Sequence, residues 1–149
     1  MIVKLEQDLS AKDIEILIKY ATMNNDVKRI TNMLAAYETQ VRCKLNDIET
    51  LVNVSDIYYF ESVDKKTFIY CENNVYETGL RLYQIMDDFS QLGFTQISKS
   101  CVLNINMLDS IHPLLNRRAE AVLTNGERIY ISRNYLNNIK NALKEVAWI

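Results

Sequence analysis

The residues of this chain best suited to chemistry are short polar and basic clusters at the ends of apolar segments. They are Lys65-Lys66-Thr67, Ser98-Lys99-Ser100, Arg117-Arg118 and Arg133-Asn134. Lysine and arginine neutralise phosphates, and serine hydroxyls suit phosphate oxygens. Arginine and lysine also donate to guanine in a major groove, and asparagine can bond adenine through two atoms. Taken singly, a basic hairpin tip is most often a solvated turn. The Ser98-Lys99-Ser100 knuckle says more, because it interrupts two apolar patches, Phe94 to Ile97 and Cys101 to Leu103. A polar knuckle there cannot belong to a core, so it faces something outside the fold. Tyr58-Tyr59 could stack on bases, but strand alternation puts one ring in the core and the other on the surface.

Other chemistry finds little support. His112 is the only histidine and precedes Pro113, as a loop or strand-edge residue does. Gly79, Gly93 and Gly126 are too far apart for a phosphate-cradling loop. Asp87-Asp88 are adjacent on a helix and point in different directions. Cys43, Cys71 and Cys101 are odd in number and lack a C-x-x-C pair, which argues against a disulfide framework or zinc site. They read as three buried thiols, with a reactive Cys101 beside Lys99 as the sharper alternative. The expectation is no enzyme, no cofactor and no metal.

The elements that position the clusters follow from patterning. With 48% apolar and 24% charged residues, the 149-residue chain can bury a core of ordinary size. One proline, three glycines and the lack of low-complexity tracts exclude a disordered chain. No run approaches the roughly 20 apolar residues that span a bilayer, and Met1 to Glu6 has no signal-peptide pattern, so a cytoplasmic protein is expected. The net charge of −2 is unevenly spread. Residues 94–149 carry 7 basic against 4 acidic side chains, while residues 51–93 carry 3 against 7. The positive balance therefore lies where the knuckle lies.

Residues 1–38 read as a helical extension. Residues 2–6 alternate as a short strand. Ser10 and Asp13 suit a helix cap, and Ile14, Leu17, Ile18 and Ala21 form one helical face. Val27, Ile30, Leu34 and Tyr37 form a second. From residue 39 the period approaches two. Strands are expected over 41–45, 48–54, 56–62, 67–71 and 75–77, with turns at Asn46-Asp47, Asp64-Lys65-Lys66 and Asn73-Asn74. Thr78 is placed to cap a helix through Leu82, Ile85, Met86 and Phe89, which Gly93 ends. Short strands follow over 95–98, 102–103, 108–115, 119–123 and 128–131, with a hairpin signal at Thr124-Asn125-Gly126-Glu127. Ser132 suits the cap of a last helix with apolar face Leu136, Ile139, Leu143 and Val146. The fold class is α+β and mainly β. An antiparallel domain over 39–149 holds one central and one C-terminal helix and is preceded by the extension.

The order of these motifs resembles the LytTR family of bacterial DNA-binding domains. Asp56 to Ser62 resembles its opening D-I-x-Y-x-E strand. Gly93-Phe94, Ser98-Lys99-Ser100 and Val102-Leu103-Asn104 resemble its central signature. Asn125-Gly126 followed by Ile131-Ser132-Arg133 resembles its ending. The resemblance covers roughly residues 40–147. It implies an elongated antiparallel β fold whose loops enter successive major grooves of double-stranded DNA at direct-repeat operators. Carried over by position, the reading loops are Lys65-Lys66-Thr67, Ser98-Lys99-Ser100 and Arg133-Asn134.

Many members carry a receiver domain, for which the 38 residues before residue 39 are too few. The resemblance therefore implies a stand-alone transcription regulator without small-molecule substrate. Its control would come from a partner, a membrane protein among the candidates, or from its own concentration. The extension is then either a homodimer or partner surface, or a cover for the β core. The competing reading is a protein-interaction module on the same fold that sequesters a partner without binding DNA.

Overall fold

A computed structural model of the chain describes residues 1–145. Helix α1 spans Asn25–Glu38, started by the Asn24 side chain, which accepts the Val27 N–H at 3.0 Å. Ten strands follow: β1 (Gln40–Leu45), β2 (Ile48–Asn53), β3 (Tyr59–Val63), β4 (Lys66–Tyr70), β5 (Val75–Thr78), β6 (Phe94–Ser98), β7 (Cys101–Asn104), β8 (Leu108–Pro113), β9 (Ala119–Leu123) and β10 (Arg128–Ile131). Helix α2 (Leu82–Phe89) separates β5 from β6, and α3 (Leu136–Glu145) follows β10. Strands β1–β7 form one antiparallel sheet in the order β2-β1-β5-β4-β3-β7-β6, and β8–β10 form a second in the order β10-β9-β8.

The large sheet is covered on both faces. Side chains alternate across a strand, so neighbours in one strand enter different cores. Phe60, Ile69 and Val102 pack with Ala36 of α1 and with Ile85 and Phe89 of α2. Tyr59, Cys101 and Leu103 pack instead with Ala121, Leu123, Ile131 and Ile139 of the small sheet and α3. This explains why all four residues of β7 are buried. A strand sandwiched between two layers has no solvent face to keep polar.

Double coverage also corrects the reading of the tyrosine pair: Tyr58 and Tyr59 are both buried. Tyr58 precedes the strand, which begins at Tyr59 and not at Asp56, because Val54–Asp56 form a 3₁₀ turn. Tyr58 donates its hydroxyl to Glu72. Tyr59 stacks on Tyr70 with ring centroids 4.3 Å apart and donates to Glu127 Oε1 at 2.6 Å. Neither ring is open to a base.

Three more local expectations change. Thr78 caps no helix; its hydroxyl donates to Arg42 O at 3.1 Å and accepts the Leu80 N–H. Arg81 takes the N-cap of α2 instead, and its N–H donates to Gln84 Oε1 at 2.8 Å. Ser132 makes no side-chain cap bond, because a 3₁₀ turn over Arg133–Tyr135 intervenes before α3. Left-handed backbone occurs at Asn46, Asp47, Asp64 and Lys65 and not at Asn73-Asn74. Val146, expected on the α3 face, lies outside the described residues.

The extension differs most from expectation. Residues 1–24 hold neither a strand at 2–6 nor a helix around Ile14. The first helical stripe competes with a period-two pattern of β-branched residues, Ile14, Ile16 and Ile18. Only Ile18 of that stripe is even half-buried, and a short helix without tertiary packing is marginal. The second stripe does form α1, but its buried face is shifted: Val27 and Ala36 are buried, Ile30 and Leu34 half-buried, and Tyr37 is exposed. Among the described residues no helix is long and apolar enough to cross a membrane.

Candidate nucleic-acid interface

Three separate segments meet at one end of the large sheet. The β3–β4 turn is a two-residue loop with both φ angles positive, 51° at Asp64 and 68° at Lys65, the geometry that matches strand twist in a tight hairpin. The β6–β7 hairpin places its Ser98-Lys99-Ser100 knuckle beside that turn, because β3 pairs with β7 and Ser62 N–H donates to Ser100 O at 2.8 Å. On the other side of the knuckle, Ser132 N–H donates to Ile97 O at 2.9 Å. The Arg133 segment is thereby held against the same hairpin.

The knuckle is shaped as well as placed. A register shift between Gln96 and Ser98 forms a bulge, which re-aims the following side chains. Ser98 Oγ accepts the Ser100 N–H at 3.3 Å and lies 3.5 Å from Ser100 Oγ. Gln96 Nε2 donates to Lys99 O at 3.5 Å. The backbone is thus internally tied, and the Lys99 side chain projects into solvent.

Most of the expected site residues are open on this face. Lys65, Lys66, Lys99, Ser100, Arg133 and Asn134 are exposed and Ser98 is half-buried. Thr67 is not available: it is 2% exposed and sits inside β4 opposite Thr78. Its role is to seat the hairpin. Lys66 is held 3.6 Å from Glu77, an exposed ion pair that competes weakly with any other anion.

Other basic residues on this face come from parts of the chain that give no joint signal. Arg81 donates through Nη1 to Lys65 O at 2.6 Å and steadies the β3–β4 tip. Arg42, Lys44 and Arg81 line an open groove of about 910 Å³ that continues from Lys65 and Lys66. The acidic groups Glu49, Glu77 and Asp88 share that lining. The pairing Ile131↔Ala119 puts Arg118 next to Ser132 at the same end of the small sheet. Only the period-two exposure of Arg42 and Lys44 in β1 was visible as pattern.

The cysteines do not take part. Cys101 is buried, and burial pushes its thiol up to about 12, with the Glu61 and Glu127 carboxylates adding to the shift. A thiol so far from ionising is a poor nucleophile, which removes the reactive reading of Cys101. Cys71 is half-buried, not fully buried as expected, and is likewise raised to about 12 by burial.

The family model of the LytTr DNA-binding domain matches residues 47–144, from the β1–β2 turn into α3. The chain belongs to the LytTR family. Its fold is also that of a solved LytTr DNA-binding domain from Bacillus cereus, with a TM-score of 0.67 and 24% identity over 71% of this chain and 97% of the other. An uncharacterized HTH-type transcriptional regulator of Staphylococcus aureus is 30% identical over 145 residues, covering 94% of this chain and 97% of its own. Sensory transduction proteins LytT from Bacillus cereus and Enterococcus faecalis are 29% and 28% identical over 94 and 93 residues, 63% and 62% of this chain. The chain spans 38% of the length of those LytT relatives. In LytTR terms, the first motif runs from the 3₁₀ turn at Asp56 into β3, the second lies on the β6–β7 hairpin, and the third spans the β9–β10 turn and the β10–α3 junction.

Proposed function

We propose that this protein is a sequence-specific regulator of transcription that lowers three loops into successive major grooves of double-stranded DNA. The observation that carries the reading is the backbone clamp on the β6–β7 hairpin. Hydrogen bonds from Ser62 and Ser132 bring the Lys65-Lys66 tip and the Arg133-Asn134 segment to either side of Lys99. Lys99 and Arg133 are the groove-reading residues. Ser98, Ser100 and Asn134 position phosphates or read base edges, and Lys65 and Lys66 meet the flanking backbone. Thr67 has no contact role, because it is buried.

The resemblance of the S. aureus relative, named a transcriptional regulator, over nearly the whole chain supports the regulatory role. The operator is a direct repeat. Partners of the N-terminal segment or protein concentration control the regulator.

Fluorescence anisotropy against the chain's own promoter region, repeated over a salt series, tests the proposal. Binding through phosphates predicts affinity that falls linearly with the logarithm of salt, with a slope near −0.9 per phosphate neutralised. Absence of binding at low salt would sink the DNA reading and leave the partner-sequestering module.

A further inference from the structure

DNA binding does not account for the surface of the N-terminal arm. From Met1 to Asn24 every residue is exposed except half-buried Ile18. Ten of those exposed side chains are large and apolar, among them Ile2, Leu5, Ile14, Ile16 and Tyr20. The hydrogen bonds described within residues 1–23 are local: Ser10 and Ala11 turn onto Asp8, and the Ile14 N–H onto Asp13. Apolar stretches of this extent mark contact sites. At roughly 60–120 Å² per side chain, ten such groups offer about 600–1,200 Å². A standard interface needs about 800 Å² per partner.

The same chain carries a matching free surface. Strand β2 is an edge of the seven-stranded sheet, and its Ile48 and Leu51 are 70% and 56% exposed. Helix α1 packs on β2 and exposes Met33 and Tyr37. An open edge with exposed apolar residues is a template for another strand. The arm has the period such a strand needs: Ile14, Ile16, Ile18 and Tyr20 alternate with Glu15, Leu17 and Lys19.

We propose that the arm of one copy adds as a strand to the β2 edge of a second copy and that the second copy returns the contact. A second copy is the occupant because, among the described residues, both halves of the contact are exposed on one chain, so a single two-fold pairing satisfies both arms and both edges. The S. aureus match omits only about nine residues of this chain, so it includes most of the arm with the domain. The pairing also leaves the Ser98-Lys99-Ser100 knuckle free. Strands β2 and β7 are five positions apart in the sheet, about 24 Å at the usual strand spacing.

Light scattering on the full chain over a concentration series tests this. The wild type is expected at twice 17.4 kDa. Ile14→Asp/Ile16→Asp in the arm and Leu51→Asp on the edge should each return it to 17.4 kDa, with the circular dichroism of the folded domain retained. A monomeric wild type, or a dimer that persists in both variants, overturns the proposal. If a variant fails to fold, Ile16→Cys and Leu51→Cys proteins are mixed and treated with a short thiol cross-linker. A cross-link between the two, above the wild-type background, supports the exchange. A cross-link formed only when both substitutions are in one chain shows the arm covering its own edge and overturns it.

Discussion

Ser132 donates its backbone N–H to the carbonyl oxygen of Ile97 at 2.9 Å. Ile97 is fully buried between the large sheet and α3, so this bond anchors the β10–α3 junction to the rigid interior. Arg133 and Asn134 take their positions from it, one residue away from the Ser98-Lys99-Ser100 knuckle on the other side of the bond. A backbone-to-backbone tie fixes the spacing of these two exposed basic segments whatever side chains they carry. The exposed side chains can then vary while the frame stays constant.

Lys99→Ala and Arg133→Ala should each weaken specific DNA binding by about 1–3 kcal/mol and relax preference at one base position. Competition anisotropy against single-base operator variants reads this out. If either substitution weakens all sequences equally, that residue contacts phosphate and does not read bases.

Asn104 ends the central LytTR motif, yet it is 1% exposed. Its Nδ2 donates to Ile57 O at 2.8 Å, and its Oδ1 accepts the Asn106 N–H at 3.1 Å. Asn104→Ala leaves both backbone groups without that partner and should cost about 1–3 kcal/mol of stability. Urea unfolding measures the loss, and DNA affinity per folded molecule should stay at the wild-type value.

Gly93 has φ of +102°, and a Cβ there would lie 2.9 Å from Asn106 Nδ2. That amide donates to Leu92 O at 3.3 Å, so it cannot yield without losing a bond. Gly93→Ala should destabilise by on the order of 1–3 kcal/mol. A thermal midpoint equal to that of the wild type would show that the turn relaxes freely.

Stability should fall on the alkaline side. Burial raises the Cys71 and Cys101 thiols from 9.0 to about 12, and the Tyr59 phenol is raised by burial and by Glu127. For the thiols the unfolded chain releases its protons first, so their contribution is complete below about pH 9 and is lost as pH rises toward 12. Unfolding free energies measured at neutral pH and at steps above pH 9 should decline. In Cys101→Ala the decline should be shallower, even though the variant starts less stable.

Local signals carried much of the fold. The turn at Asn46-Asp47, the left-handed Gly93, the Thr124 to Glu127 hairpin and the apolar face of α2 all rest on neighbours within a few residues. Such features are written in short-range sterics and periodicity. The arm misled because its residues fit both a helical and a strand period, and local pattern does not decide which partner is present. Tyr58 and Thr67 misled for a related reason. Alternation marks two faces of a strand but does not say that both are covered.

The sequence by itself determined which residues could meet a phosphate or a base edge, and in what order along the chain they come. Only the tertiary structure decided that they meet. The Lys65 tip, Lys99 and Arg133 are distant in sequence, and their adjacency rests on long-range strand pairing and on the Ser62 and Ser132 backbone bonds. Backbone hydrogen bonds carry no residue signature, because every non-proline residue offers the same N–H and C=O. That is why the clamp on the β6–β7 hairpin was invisible in the letters and appears only when the sheet closes.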